Sequence, residues 1–352
     1  MKFNLKKIAF ITSLIFLASK ASLGQDAAFT QYPASMLYLN PALAGEERYL
    51  ELSANFRTQW QSVTVPYQTS QLSAIIPLYT GKVNKTHFGG TGISFYRDRA
   101  GEGDLSTTGI NLSLSKLMTL TTDNKNVLAF GLQFGVIQRK VDYDKLQWGQ
   151  QYQPFQGFNS NIAPTELTND LEPQHSFLDI ASGLIYYHND IQQFSSGEFS
   201  GHFGISAYHL NRPNESFSTI QTSNLPAIIK IHGGIDIPIT PFFYLSPGIL
   251  TLHQEGQHQL NGNLRCIYNI HNNSPNVFLD HFILTGGIGG RLQDGMIISA
   301  GFGNRVFHLG YSYDLNLSGL NALGNSVGAS ELSLIIKNPV DHIFKTVETP
   351  RY

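Results

Sequence analysis

Beyond Tyr49, apolar and polar residues alternate one by one through most of the chain. In Arg305 to Leu315, one face carries Phe307, Leu309, Tyr311, Tyr313 and Leu315, and the other carries Val306, His308, Gly310, Ser312 and Asp314. Asn126 to Val136 sets Leu128, Phe130, Leu132, Phe134 and Val136 against Ala129, Gly131, Gln133 and Gly135. Ile110, Leu112 and Leu114 oppose Gly109, Asn111, Ser113 and Ser115; Ile229, Ile231, Ile235 and Ile237 oppose Lys230, His232, Gly234 and Asp236. Successive side chains of a strand point to opposite faces, so each stretch predicts an amphipathic strand. Such stretches fall at 49–57, 68–77, 87–97, 104–117, 126–140, 177–187, 201–210, 227–237, 242–253, 257–270, 281–292, 295–303, 305–315 and 328–337. That makes about 14 strands, and an even number suits a single-chain barrel.

Two architectures share this alternation. In a soluble sandwich the apolar face packs on a second sheet; in a membrane barrel it meets lipid and the polar face lines the lumen. Three features favour the barrel. The segments are long enough to cross a bilayer when tilted, whereas ordinary strands average about 5–6 residues. The polar faces carry Gly, Ser, Thr and Asn rather than Lys and Glu. Aromatics cluster near segment ends, as at Phe95-Tyr96, Tyr186-Tyr187, Phe242-Phe243-Tyr244, Tyr311 and Tyr313, which suits interfacial girdles.

The N-terminus reads as an export signal. Lys2, Lys6 and Lys7 precede an apolar run from Ile8 to Ala18, and Ala21-Ser22-Leu23-Gly24 supplies the small residues before a cleavage site. No Cys follows the cut to carry a lipid. Removing residues 1–24 takes away four lysines and no acid, so the formal charge moves from -2 to -6. Nucleic-acid binding, driven by phosphate neutralisation, is therefore not expected. Cys266 is the only cysteine, which excludes an internal disulfide. An exported N-terminus lies in the periplasm, so connections after odd-numbered strands face outward. The long connections 141–176, 211–226 and 316–327 are then external, and the turn at Pro238 to Pro241 is periplasmic. Two connections fit this asymmetry less well: 188–200 is long for a periplasmic turn and 254–256 short for an external loop.

Candidate chemistry is sparse. The 12 His fall on different strands without ligand spacing, so neither a metal nor another cofactor is expected. Gly204-Ile205-Ser206-Ala207-Tyr208 lacks the second Gly of a nucleophile elbow. Gly286-Gly287-Ile288-Gly289-Gly290 lies inside a strand, not between strand and helix, so it thins the wall or admits another segment rather than cradling phosphate. An enzyme is not expected. Asp314 and Glu331 should project into the lumen from adjacent strands. Buried carboxylates need partners, and Lys230, Arg265 and Arg291 are candidates for a lumen network. Trp148, Tyr152, Phe155 and Phe158, interspersed with glutamines in the longest external connection, suit a protein contact surface. Asn40-Pro41 and Ala44-Gly45 are turn chemistry, so 25–48 reads as an ordered non-strand segment that either plugs the lumen or lies as a periplasmic arm.

Several motifs resemble those of the PorP/SprF family, outer-membrane proteins associated with type IX secretion and gliding. They are Gln25 to Tyr32 with Asn40 to Gly45, Asp179 to Tyr187, Gly204 to Pro213, Leu225-Pro226 with Lys230, Gly310 to Leu320, Gly328 to Leu334 and the tail Pro350-Arg351-Tyr352. The family's Cys before that Pro is replaced by Thr349, so no terminal thiol role carries over. In Gly204 to Pro213, His209, Asn211 and Pro213 sit where a strand leaves the membrane, as strand terminators or partner contacts. The expected organisation is a signal peptide (1–24), a plug or periplasmic segment (25–48), an all-β antiparallel transmembrane outer-membrane barrel (49–337) and a C-terminal periplasmic tail (338–352). The resemblance implies a non-enzymatic component that assists export or surface anchoring of a secreted protein, such as an adhesin, by binding its type IX C-terminal domain. Its partners would be outer-membrane lipid, that client and periplasmic type IX components, with no nucleic acid. The alternatives are an outer-membrane channel or hydrophobic-solute transporter, and a secreted soluble sandwich.

Overall fold

The computed structural model describes residues 29–46, 48–60, 65–81, 86–164, 170–189, 199–271, 281–292, 294–304, 306–317 and 327–338. The expected signal peptide, and the tail beyond Asn338, lie outside the described residues. Fourteen strands form one closed barrel: β1 (Leu50–Gln59), β2 (Tyr67–Thr80), β3 (Thr86–Ala100), β4 (Leu105–Thr119), β5 (Asn126–Lys140), β6 (Gln174–His188), β7 (Ser200–Tyr208), β8 (Ile228–Thr240), β9 (Phe243–Gln254), β10 (Gln257–His271), β11 (His281–Arg291), β12 (Gly295–Gly303), β13 (Phe307–Asn316) and β14 (Val327–Asn338). Each pairs antiparallel with its chain neighbour. β1 pairs with β14 from Leu50↔Asn338 to Gln59↔Ala329, which closes the sheet and leaves no edge.

The faces identify the surrounding solvent. Leu112, Leu114, Phe130, Phe134, Ile235, Ile249, Ile298 and Leu309 point outward and are exposed. Their neighbours Asn111, Ser113, Gln133, Lys230, His232, Asp236, Ser312 and Glu331 point inward and are buried. Apolar outside and polar inside is the reverse of a soluble core, and hydrocarbon makes it stable. The aromatic clusters divide in the same way. Phe95, Tyr186, Phe242 and Tyr311 are exposed on the outside. Tyr187 and Tyr244 are buried inside, and Tyr96 meets a lumen tyrosine, Tyr38, at a ring distance of 5.5 Å. Only the outward member of each adjacent pair can serve a girdle, because adjacent strand residues face opposite ways.

Connections 141–173 and 209–227 follow β5 and β7, so they lie at one end of the barrel, external by the parity argument. The short β9–β10 hairpin at that end turns through Glu255 and Gly256, both at positive φ (42° and 82°), the conformation of a tight two-residue turn.

Residues 29–46 run through the lumen. A 3-10 turn (Tyr32–Ala34), one helical turn α1 (Met36–Leu39) and a second 3-10 turn (Pro41–Gly45) follow each other. Tyr32, Met36, Leu37, Leu39, Ala42, Leu43 and Ala44 pack with Ile75, Ala129, Ile185, Tyr187 and Leu250 of the wall. Among the described residues the larger apolar cluster is therefore this segment against β2, β5, β6 and β9, with a smaller one at Ala181, Tyr208 and Ile228. A fully buried leucine such as Leu37 contributes roughly 1.5–3 kcal/mol.

Candidate functional site

Two regions concentrate polar and exposed chemistry: the lumen around residues 29–46 and the external rim.

The lumen segment is seated by glycines that bring the wall backbone close. A Cβ on Gly90 of β3 would lie 1.7 Å from the Ala44 carbonyl oxygen. On Gly131 of β5 it would lie 2.2 Å from the Ala42 nitrogen, and on Gly183 of β6 it would lie 1.9 Å from Asn40 Oδ1. No side chain fits at these positions while the segment is in place. The run Gly286–Gly290 does not serve this purpose: Gly286 has nothing near it, and Gly287 faces Ser299 and Arg265. Asn40, fully buried, explains the Asn-Pro pair. Its Oδ1 accepts from the Ala42 N–H at 2.9 Å and caps the second 3-10 turn. Its Nδ2 donates to the Leu184 and Ile205 carbonyls at 3.2 and 3.3 Å and meets His232 Nε2 at 3.1 Å. The Leu37 and Leu39 carbonyls, left without helix partners after so short a helix, accept from Gln133 (3.2 Å), Tyr208 (3.0 Å) and Ser206 (2.7 Å).

The segment begins at an ionic cluster. Arg57 of β1 donates to Asp314 of β13 at 2.8 Å and to Glu331 of β14 at 3.3 Å, with its side chain 2% exposed. Arg57 also bonds the Thr30 hydroxyl. Glu331 accepts from the N–H groups of Thr30 (2.7 Å) and Gln31 (3.0 Å) and from Asn55 (3.1 Å). Arg291 reaches Asp314 at 3.4 Å and Asp294 at 2.7 Å. Of the residues expected to form a lumen network, Asp314, Glu331 and Arg291 thus meet. Lys230 and Arg265 are placed elsewhere in the lumen. Lys230 donates to the Tyr38 carbonyl at 2.6 Å, between the rings of Tyr38 and Tyr208, each 4.1 Å away. Arg265 contacts Ser246 at 3.2 Å. The principal counter-ion, Arg57, escaped the sequence reading. Its place on the inward face after Ser53 and Asn55 is legible by alternation, but its nearness to Asp314 and Glu331 arises only from β1–β14 closure.

The external rim is built from two loops bonded to each other. Arg139 pairs with Glu215 and stacks on Phe217, 5.7 Å from the ring centroid. His175 Nε2 meets the Asn214 carbonyl at 3.0 Å. The Glu172 N–H donates to Phe217 and the Thr219 N–H to Asp170, both at 2.8 Å. The Asp142 N–H donates to Gly103 at 2.7 Å, which ties the longer loop to the β3–β4 turn. There Asp104 accepts from Lys145 and Arg99, which hold its carboxyl below the ordinary value, and Asp104 with Asp142 raises Lys145.

His209, Asn211 and Pro213 organise this rim from within. His209, at positive φ (56°), is buried and its Nδ1 lies 2.8 Å from Asp179. Asn211 donates to the Leu178 carbonyl at 2.7 Å and accepts from the Ile180 N–H at 3.2 Å, so a side chain continues the ladder where β7 has ended. Pro213 is buried and its carbonyl accepts from Leu225 at 2.9 Å. The aromatic residues lie apart from these three. Tyr152 and Phe158 sit on a two-stranded ribbon, Tyr152–Gln153 against Gly157–Phe158, with rings 5.5 Å apart. Phe155 stands at its tip, fully exposed and at a φ of 65° that bulky residues avoid. Trp148, half-buried, packs near Tyr143 at 6.5 Å. Among the described residues no group of three or more His, Cys, Asp or Glu could hold a metal ion.

Several solved structures are similar in fold. A monoaromatic hydrocarbon channel, CymD, has a TM-score of 0.45 and 11% identity, over 91% of this chain and 96% of that one. A FadL homologue of Pseudomonas aeruginosa gives 0.46 and 12%, over 86% and 93%. The toluene transporter TbuX of Ralstonia pickettii gives 0.45 and 11%, over 89% and 95%. No curated protein matches the sequence. The sequence model for the type IX secretion system membrane protein PorP/SprF matches residues 21–336. That span takes in the lumen segment, both rim loops and nearly all of the closed outer-membrane barrel, and the chain belongs to the PorP/SprF family.

Proposed function

We propose that this protein receives a secreted client at the outer face of the membrane and assists its export or holds it there, by binding the client's type IX C-terminal domain. The carrying observation is the division of labour between lumen and rim. A wall with its core on the inside, held at one end by four charged side chains, favours a fixed scaffold over a path for bulky solutes. The rim offers what a protein interface uses: a rigid base with exposed aromatics on a projecting ribbon. His209, Asn211 and Pro213 act as positioning residues beneath the contact surface, and Trp148, Tyr152, Phe155 and Phe158 form it. The mechanism is recognition without bond chemistry. Residues 29–46 act in this reading as a plug.

The test is a crosslinked pull-down of the tagged full-length protein from outer membranes, followed by mass spectrometry. Recovery of one large secreted protein with a type IX C-terminal domain supports the reading and names the client. Recovery of periplasmic secretion components alone would reassign the protein to the core apparatus. An empty pull-down with steady large conductance in planar bilayers would favour the channel or transporter.

A further inference from the structure

We propose that the lumen holds a second site, an oxyanion site centred on Arg265 and open on the side of the barrel that residues 29–46 leave unfilled. It is independent of the client-binding reading.

The two sides of the lumen differ. The second 3-10 turn packs on β2 to β6, where inward residues such as Gln71, Ser73, Asn111, Ser113, Gln133 and Ala181 are buried. On β10 to β12 the inward positions Arg265, Thr285, Gly287, Ser299 and Gly301 are only half-buried. Among the described residues the segment touches this side only at its start, where the Tyr32 hydroxyl accepts from Asn263 at 2.7 Å, and much of the facing wall is glycine: Gly287, Gly289, Gly295, Gly301 and Gly303.

Arg265 enters this space. It pairs in register with Ser246 on one side and Gly287 on the other, and Gly287 pairs with Ser299. A Cβ on Gly287 would lie 3.2 Å from Arg265 Cγ and 2.6 Å from Ser299 Oγ, so the glycine makes room for the arginine stem beside a hydroxyl. One guanidinium nitrogen donates to Ser246 Oγ at 3.2 Å. Nε is shielded and has no acceptor, and the guanidinium pairs with no carboxylate among the described residues. Ser246 from β9 is bonded to it, Ser299 from β12 lies beside its stem across Gly287, and its charge reaches the Tyr32 hydroxyl of the lumen segment, His202 from β7 and His308 from β13. His308 bonds Thr285 at 3.3 Å. Asp236 is the acid nearest in effect: its charge and that of Arg265 both reach His202, but no ion pair joins Asp236 to the guanidinium among the described residues.

A guanidinium with no carboxylate partner among the described residues, beside the hydroxyls of Ser246 and Ser299, is a recognition element for carboxylate or phosphate, whose two oxygens accept its parallel N–H groups. A cation lacking a counter-charge in a partly desolvated lumen gains by taking one. The oxyanion can arrive free or as a carboxylate on an inserted peptide; the chemistry recognised is the same.

The test labels the folded full-length mature protein in detergent with phenylglyoxal, which modifies unpaired arginines, and maps the adducts by mass spectrometry. Arg265 should label and Arg57 should not. Inorganic phosphate, or a short aspartate-rich peptide, should protect Arg265 saturably, at ionic strength matched with chloride. Protection at tenfold lower peptide than phosphate assigns a peptide-borne ligand, and the reverse assigns a free anion. In Arg265→Gln, checked for folding by heat-modifiable gel migration, phosphate-dependent broadening of the phosphorus NMR line should disappear, and Arg265→Lys should retain part of it. An Arg265 that resists labelling, or is protected equally by chloride, or an Arg265→Gln variant with wild-type broadening, overturns the proposal.

Discussion

Replacing Arg57 by Met tests what holds the lumen segment. The change removes a guanidinium that bonds Asp314 at 2.8 Å, Glu331 at 3.3 Å and the Thr30 hydroxyl. Breaking a buried pair by deleting one partner costs about 3–5 kcal/mol. Here the carboxylates keep other donors. Glu331 retains the Thr30 and Gln31 N–H groups and Asn55, and Asp314 retains Arg291 at 3.4 Å and the Thr30 hydroxyl at 2.9 Å. The lower end applies, about 3 kcal/mol, or roughly 150-fold at tenfold per 1.4 kcal/mol. Because Glu331 binds the segment's own backbone, the loss should appear as opening of that segment. Hydrogen exchange at the Thr30 and Gln31 amides reads this directly. Exchange should quicken by roughly two orders of magnitude, with the barrel still folded by heat-modifiable migration. The double variant Arg57→Met/Asp314→Asn restores local charge balance while both Glu331 oxygens still accept from Thr30 and Gln31, and should recover at least about tenfold of that loss. Exchange within about threefold of wild type in Arg57→Met would refute the assignment of the cluster as the segment's anchor.

Gly131→Val puts a branched side chain where even a Cβ would lie 2.2 Å from the Ala42 nitrogen, so residues 29–46 should become protease-sensitive and bilayer conductance should rise; wild-type behaviour in both contradicts the seating. Asn211→Ala removes two hydrogen bonds to the exposed end of β6, worth about 1–2 kcal/mol locally, and should speed exchange at Ile180 while the barrel's Tm stays unchanged. For the rim's pH dependence, Asp104 has a lowered folded-state pKa. Its contribution is therefore complete above the ordinary carboxylate value of about 3.9 and lost as pH falls through the lowered value. Protection of the Asp142 amide should hold from pH 7 to 5 and drop in acid, with the loss small because Asp104 is solvated; protection that falls already near neutrality contradicts this sign.

The wall was legible because a bilayer enforces alternation on every crossing strand. Ser312 and Asp314 inside against Leu309 and Tyr311 outside follow from parity alone. The gathering of the two long loops at one end of the barrel follows from the same parity. Contacts set by closure were not legible. Arg57 meets Glu331 only because the first and last strands pair, and no local signal encodes a register between positions 274 apart. Lys230, expected in the lumen network from its charge, sits at a helix-end carbonyl between aromatic rings, a setting that exists only once the lumen segment is in place. Gly90, Gly131 and Gly183 were visible only as small residues; their use depends on which backbone approaches them. The 204–213 motif was readable as a strand exit, but the inward turn of His209 needed the positive φ at that position.

Client recognition by the rim is tested most directly by a photo-crosslinking residue in place of Phe155. The same residue at Ile249, exposed on the lipid face, serves as the control. Crosslinks from position 155 to the C-terminal domain of one secreted protein, absent from 249 and lost when Tyr152 and Phe158 are both changed to Ala, are predicted. Efficient crosslinking from a folded barrel that yields no such protein at 155, or the same products from both positions, would contradict the account.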